Sequence, residues 1–206
     1  MEQNMAKAEQ TTFWEGEFGN EYTDRNAIRA ADRTRFFKKI LGLTKNLNSV
    51  LELGANRGHN LEAIHQINSE LELTGVELNR KACNQMASLG GINAVCSTIQ
   101  DFATSDRFDL VFSCGVLIHL PPHDLPEVYQ KMFDLSQKYI LINEYFNPVP
   151  AEIPYRGHAE RLFKRDFGGE FMDLHHNQVS LVDYGFLWKR VEPTWDDTTW
   201  WLFEKK

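Results

Sequence analysis

The chain has 206 residues, 42% of them hydrophobic and 25% charged, which suits one globular domain with a real core. Its formal net charge of −7 opposes polyanions, so a nucleic-acid substrate is disfavoured. No apolar run approaches the ~20 residues that span a bilayer, and the start MEQNMAKAEQ lacks the basic and apolar regions of a secretory signal.

Residues 1–12 are polar and unpatterned, as in a frayed terminus. FWEGEFGNEYTDRN (13–26) mixes aromatics with glycines, more than a disordered tail needs. Asn26 then serves as a cap, and apolar residues at Ile28, Ala31, Phe36, Ile40 and Leu43 predict an amphipathic helix. Beyond it the pattern alternates. Strands are predicted at 49–53, 71–78, 92–96, 108–114 and 138–145, with helices near 58–67, 80–89 and 123–136. Such alternation implies a parallel sheet with right-handed crossovers, a Rossmann-like α/β fold.

Residues 146–178 hold Pro148, Pro150 and Pro154 and then a short helix around 161–172. The segments 180–192 and 198–205 have no helix between them and predict an antiparallel hairpin that closes the sheet. The whole chain, 1–206, reads as a single domain. Cys83, Cys96 and Cys114 contain no C-x-x-C pair, so they are expected as buried free thiols in a reducing compartment, the cytoplasm. The pair His175-His176 lacks a second ligand cluster at suitable spacing, so no metal site is expected.

The segment VLELGANRGHN (50–60) carries the functional signal. A strand ends at Leu53, and Gly54 and Gly58 flank a turn that leads straight into a helix. Glycine there lets the backbone approach a ligand, and the helix start offers unpaired N–H groups. The dinucleotide fingerprint G-x-G-x-x-G is not met, because Asn56 and His59 stand where its later glycines belong. What stands there is Glu52-x-Gly54-x-Asn56-x-Gly58. A carboxylate at the strand end, with no provision for pyrophosphate, suits a ligand bearing an ammonium and a sulfonium. Glu77 closes the second strand, where an acid accepts from both ribose hydroxyls. Asp101, before the fourth strand, is placed to accept from an adenine amine, with Ile99 and Phe102 over the ring faces.

In this order the residues resemble the class I S-adenosylmethionine-dependent methyltransferases: Glu52, Gly54 and Gly58, then Glu77, then Asp101, then FDLVFSCGVLIHL around Asp109 and His119. The resemblance implies a seven-stranded, mostly parallel sheet with a reversed last strand. It also implies S-adenosylmethionine as cofactor and S-adenosylhomocysteine as product. Leu78, Gln100, Cys114 and Gly115 join the cofactor set, and His119 touches it. Asn56 departs from the usual middle glycine. FWEGEFGNEYTDRN and RLFKRDFGGEFMDL are more narrowly similar to methylases associated with pseudaminic acid biosynthesis. In related folds the N-terminal segment, here 13–45, caps the cofactor, with Trp14, Tyr22 and Arg25 the candidates and Tyr22 or Arg25 near the methionine carboxylate.

The acceptor side is expected on the insertion 146–178. His119, Glu144 and His158 are the base candidates, since a hydroxyl acceptor must lose a proton while an amine needs only its neutral form. No N/D-P-P-Y/F element follows the fourth strand, which argues against amide or base N-methylation. Tyr145, Asn147, Tyr155, Arg156, Arg161, Lys164 and Arg165 are the acceptor-binding candidates; their basic cluster favours a sugar-derived or anionic small molecule. The expected partner is that small acceptor, with no nucleic acid or membrane, on a monomer or homodimer. The rival readings are a non-catalytic cofactor-binding partner or sensor and a nucleotide-dependent oxidoreductase; titration with the two cofactors and mutation of His119 or Glu144 separate them.

Overall fold

The computed structural model describes residues 11–25, 29–155 and 162–206. Asn26, Ile28, Arg156, His158 and Arg161 lie outside the described residues, as do residues 1–10.

The sheet is built from β1 (Ser49–Leu53), β2 (Glu72–Glu77), β3 (Ile92–Cys96), β4 (Phe108–Cys114), β5 (Ser136–Glu144), β8 (Val179–Leu187) and β9 (Thr198–Lys205). Their spatial order is β3-β2-β1-β4-β5-β9-β8. The first five run parallel, and β9 pairs antiparallel with both β5 and β8. The apolar strings that suggested strands covered on both faces behave as such. Within β4, Leu110 and Phe112 enter one core and Val111 the other, and Tyr139/Leu141 and Ile140/Ile142 divide β5 in the same way. One core is covered by α2 (Thr34–Leu43), α3 (His59–Ile67) and α4 (Arg80–Ala87). The other is covered by α5 (Leu125–Leu135) and α6 (Phe167–His175). Trp195, Trp200 and Trp201 are all buried, so these aromatics are core. No described helix is long and apolar enough to cross a membrane.

The ends depart from the sequence expectation. Residues 17–25 form a helix, α1 (Glu17–Arg25), in a stretch to which the sequence reading assigns no element. Gly19 serves close packing instead: a Cβ there would lie 2.9 Å from Asn79 Nδ2 and collide with the Trp14 carbonyl. The following helix starts at Thr34, not Asn26, after a 3₁₀ turn at Ala30–Arg33. That turn sends Arg33 inward, over the Trp195 ring at 4.1 Å. In the insertion, β6 (Ala151–Glu152) pairs with β7 (Phe163–Lys164), and the helix expected around 161–172 begins at Phe167. Its start is fixed by Asp166, whose side chain accepts from Gly169 N–H at 2.9 Å.

The cysteines also require correction. Cys83 and Cys96 form a disulfide, and Cys114 is the free thiol. The two lie 13 positions apart in sequence, but α4 packs directly on β3 and brings their Cα atoms to 5.8 Å.

Candidate functional site

A cavity of about 640 Å³ lies over the carboxyl ends of the parallel strands, where open α/β sheets hold ligands. Its floor is the turn after β1. Gly54, Asn56 and Gly58 all adopt positive φ, at +79°, +48° and +79°. Asn56 therefore takes the left-handed conformation of the glycine it replaces, which Asn tolerates better than most residues. A side chain at Gly54 would meet Val116 Cγ2 at 2.5 Å, so the turn packs tightly against Val116.

Glu77 organises this floor. Its Oε2 accepts from Asn56 N–H at 2.8 Å and its Oε1 from Asn79 N–H at 2.7 Å. With the Leu78 N–H also acting on it, the carboxylate still has capacity for a further donor among its roughly four lone-pair sites. Burial raises its pKa against these backbone hydrogen bonds. Leu78, Ser97, Ile99 and Gln100 continue the lining beside it. Asp101 does not: it is exposed, and its carboxylate accepts from the Thr98 hydroxyl at 2.8 Å, closing the local turn. Phe102 likewise packs into the core and not onto the cavity.

On the other side of the glycine turn lies a buried polar chain. Asn60 donates to Glu52 Oε1 at 2.6 Å, and Arg33 donates to Asn60 Oδ1 and to the Thr194 carbonyl at 3.3 Å. Burial pushes the Glu52 carboxyl up to about 8, against Asn60 and Arg33, which pull it down. Glu52 Oε2 is buried with no hydrogen-bond partner. Arg25, expected at this end, is exposed and paired with Glu21 at 3.3 Å. Arg33, not Arg25, lines the cavity at this end.

The N-terminal segment closes the cavity from above. Trp14 and Tyr22 line it, with ring centroids 5.4 Å apart, and Asn79 Nδ2 holds the Trp14 carbonyl at 3.0 Å. His119 lines it as well, 4.6 Å from the Trp14 ring and 5.1 Å from Tyr155. Cys114 and Gly115 carry the lining past β4, and burial raises the Cys114 thiol well above its ordinary value.

Glu144, expected as a base, is not at the cavity. It is fully buried and accepts from the N–H groups of Val116 (2.9 Å), Leu117 (3.0 Å) and Ile118 (3.4 Å), and from the Ser113 hydroxyl (3.3 Å). Its role is to pin the 116–119 turn that presents His119. Tyr145 and Tyr155 face the cavity as expected, whereas Asn147 bonds to the Val149 carbonyl at 2.7 Å. Lys164 lies over the Tyr145 ring at 5.0 Å, and Arg165 is bound to Glu170 at 2.7 Å; neither lines the cavity.

The wall that sequence reasoning missed is the connection between β8 and β9. Lys189, Thr194, Trp195 and Asp196 line the cavity, with Asn143 and Thr198 at the adjoining strand ends. Lys189 Nζ lies 2.8 Å from Asp196 Oδ1, and the Tyr145 hydroxyl also donates to Asp196. The signal was present. A reversed last strand begins at the edge where parallel strands end, so residues just before Thr198 lie beside the cavity.

Residues 50–138 match the family model of the methyltransferase domain. Over that stretch the chain is similar to such a domain. No curated protein matches the chain in sequence. Among solved structures, the chain is similar to the 1,6-didemethyltoxoflavin N1-methyltransferase of Burkholderia thailandensis, crystallised with its acceptor and S-adenosylhomocysteine. There the TM-score is 0.68 at 17% identity over 99% of this chain and 89% of that one. A glycopeptide N-methyltransferase bound to S-adenosylhomocysteine gives 0.66 at 13%, over 87% and 91%. The magnesium protoporphyrin IX methyltransferase of Synechocystis PCC 6803 with bound S-adenosylmethionine gives 0.60 at 13%, over 86% and 78%. The sheet order is that of the class I methyltransferase fold, and the site fits S-adenosylmethionine. Glu77 has spare lone pairs for a ribose, the turn at Gly54 has no room for a side chain, and Glu52 keeps an unpaired buried oxygen for an ammonium.

Proposed function

We propose that this methyltransferase transfers the methyl group of S-adenosylmethionine to an oxygen or nitrogen of a small polar acceptor, sugar-derived or anionic, of the kind handled in pseudaminic-acid-type pathways. The observation that carries the reading is the continuity of the cavity. It runs from Glu77 over the glycine turn and past Cys114 to Tyr145, Lys189 and Asp196, so cofactor and acceptor share one enclosure. In this reading Glu77 holds the ribose, Ser97 to Gln100 border the adenine, Glu52 takes the ammonium and Arg33 the carboxylate. The bound sulfonium supplies an activated methyl group. The protein aligns the acceptor with it and keeps water out.

Trp14, Tyr22 and Tyr155 supply aromatic faces that suit a cationic sulfur. Beyond Cys114, the wall made by Lys189, Asp196, Asn143 and Thr198 alternates donors and acceptors, which suits a hydroxylated molecule. His119 is the base candidate that lines the cavity, placed to take the proton of a hydroxyl acceptor. The glycopeptide, porphyrin and toxoflavin-type acceptors of the similar structures differ widely, so the acceptor is argued from this wall and not from the fold. The acidic whole-chain charge supports a small acceptor over a nucleic acid.

Calorimetric titration with S-adenosylhomocysteine tests the reading. Wild-type protein is expected to bind, and Gly54→Arg to lose binding while keeping its circular dichroism spectrum. Folded wild-type protein that takes up none of the ligand removes the proposal.

A further inference from the structure

We propose that Cys83 and Cys96 form a thiol–disulfide exchange site that sets the affinity of the adenosyl pocket, an inference that rests on the cofactor reading above. The bond joins two elements that both end on that pocket. Cys83 lies one turn into α4, with its N–H bonded to the Asn79 carbonyl at 2.9 Å, and Asn79 in turn donates to Glu77 at 2.7 Å. Cys96 ends β3 directly opposite Glu77. The next residue, Ser97, donates its N–H to the Glu77 carbonyl at 3.1 Å and lines the cavity. Meanwhile β3 is the outermost strand on its side of the sheet, with β2 as its one strand neighbour and no residue fully buried. Edge strands of this kind open more readily than central ones. The disulfide is the covalent tie between the helix that follows the ribose carboxylate and the loop that borders the adenine.

The two sulfurs differ in access. Cys96 is exposed and Cys83 is 2% exposed. An incoming small-molecule thiolate therefore attacks the Cys96 sulfur, the Cys83–Cys96 bond breaks, and Cys83 leaves as a thiolate that takes up a proton. A second small-molecule thiol attacks the resulting mixed disulfide and releases Cys96. In sum, one protein disulfide and two monothiols become two protein thiols and one small-molecule disulfide. Monothiols of the glutathione class supply the electrons. Reduction frees β3 and the Ser97–Gln100 loop, which must then be ordered again when ligand binds. By linkage the coupling is reciprocal, so bound ligand makes the disulfide harder to reduce by the same factor.

The test uses the full chain equilibrated with either glutathione disulfide or dithiothreitol. The thiol state is verified by mass after alkylation, and each form is titrated with S-adenosylhomocysteine. Reduced protein is expected to bind about tenfold more weakly than oxidised protein, and Cys96→Ser to match the reduced form in both buffers. Equal affinity in verified oxidised and reduced protein overturns the proposal, as does Cys96→Ser binding as tightly as the oxidised form. So does a pair that stays reduced in the oxidising buffer. Folded, oxidised protein that takes up no ligand overturns the cofactor reading instead, and this inference with it.

Discussion

Glu144 shows how a residue's type and position can point to the wrong role. A carboxylate at the end of a central strand of a methyltransferase sheet invites a catalytic reading, yet three backbone N–H groups and a hydroxyl claim both of its oxygens. Replacing it with glutamine turns an amide N–H₂ towards those donors. Glu144→Gln is therefore expected to cost about 2 to 3 kcal/mol of folding stability, measured by urea denaturation, with S-adenosylhomocysteine still bound by the fraction that folds. Glu52 gives a pH signature. Burial pushes Glu52 up to about 8 and Glu144 up to about 7, both above the unfolded carboxylate value. Between the unfolded and folded pKa values the native state holds more protons, so its stability is full at the acid end and falls as pH rises. The thermal midpoint of ligand-free protein is thus expected to drop from pH 5 to pH 8, and Glu52→Gln to flatten the upper part of that drop. If Glu52 receives the ammonium, ligand affinity rises over the same interval, because binding favours the ionised form.

At the scale of elements, β1, β3, β4 and β9 were legible to the residue, because apolar runs bounded by glycine and polar turns leave little choice of register. The glycine turn and Glu77 followed from them, since strand ends fix which residues face the ligand. Of the N-terminal helices, α2 was legible through Phe36, Ile40 and Leu43 but not in its start, and α1 was not legible. Gly19 signals a chain break in isolation and becomes a packing device only once Trp14 and Asn79 are beside it. Arg33 and Arg25 are equivalent cations in the sequence; only the buried ring of Trp195 and the Asn60 carbonyl choose between them. The disulfide was hidden for the same reason, since its two halves meet only after α4 packs on β3. Asn79 connects these levels, capping α4 through Ala82 N–H at 3.0 Å and holding the Trp14 carbonyl. Asn79→Ala is expected to cost about 1 to 2 kcal/mol and to make the segment before Arg25 more sensitive to limited proteolysis.

Across the whole molecule, the two ends of the chain meet over the sheet. Arg33 reaches Thr194 and Trp195, Arg35 pairs with Glu192 at 3.1 Å, and Thr194 donates to the Asp32 carbonyl at 3.3 Å. The parallel strands thus provide the floor, while the N-terminal segment and the β8–β9 connection together form the walls. The family match ends at residue 138, whereas the cavity lining continues to Thr198. Residues outside the matched stretch, Trp14, Tyr22 and Arg33 on one side and Lys189 and Asp196 on the other, complete the cavity lining. The most direct measurement is a crystal structure of the chain grown with S-adenosylhomocysteine. The ribose hydroxyls are expected on Glu77, the adenine beside Ser97 to Gln100, and the amino-acid end between Glu52 and Arg33 with its sulfur facing Tyr145 and Asp196. A ligand bound outside this cavity, or one turned so that Glu77 meets no ribose, would contradict the assignment.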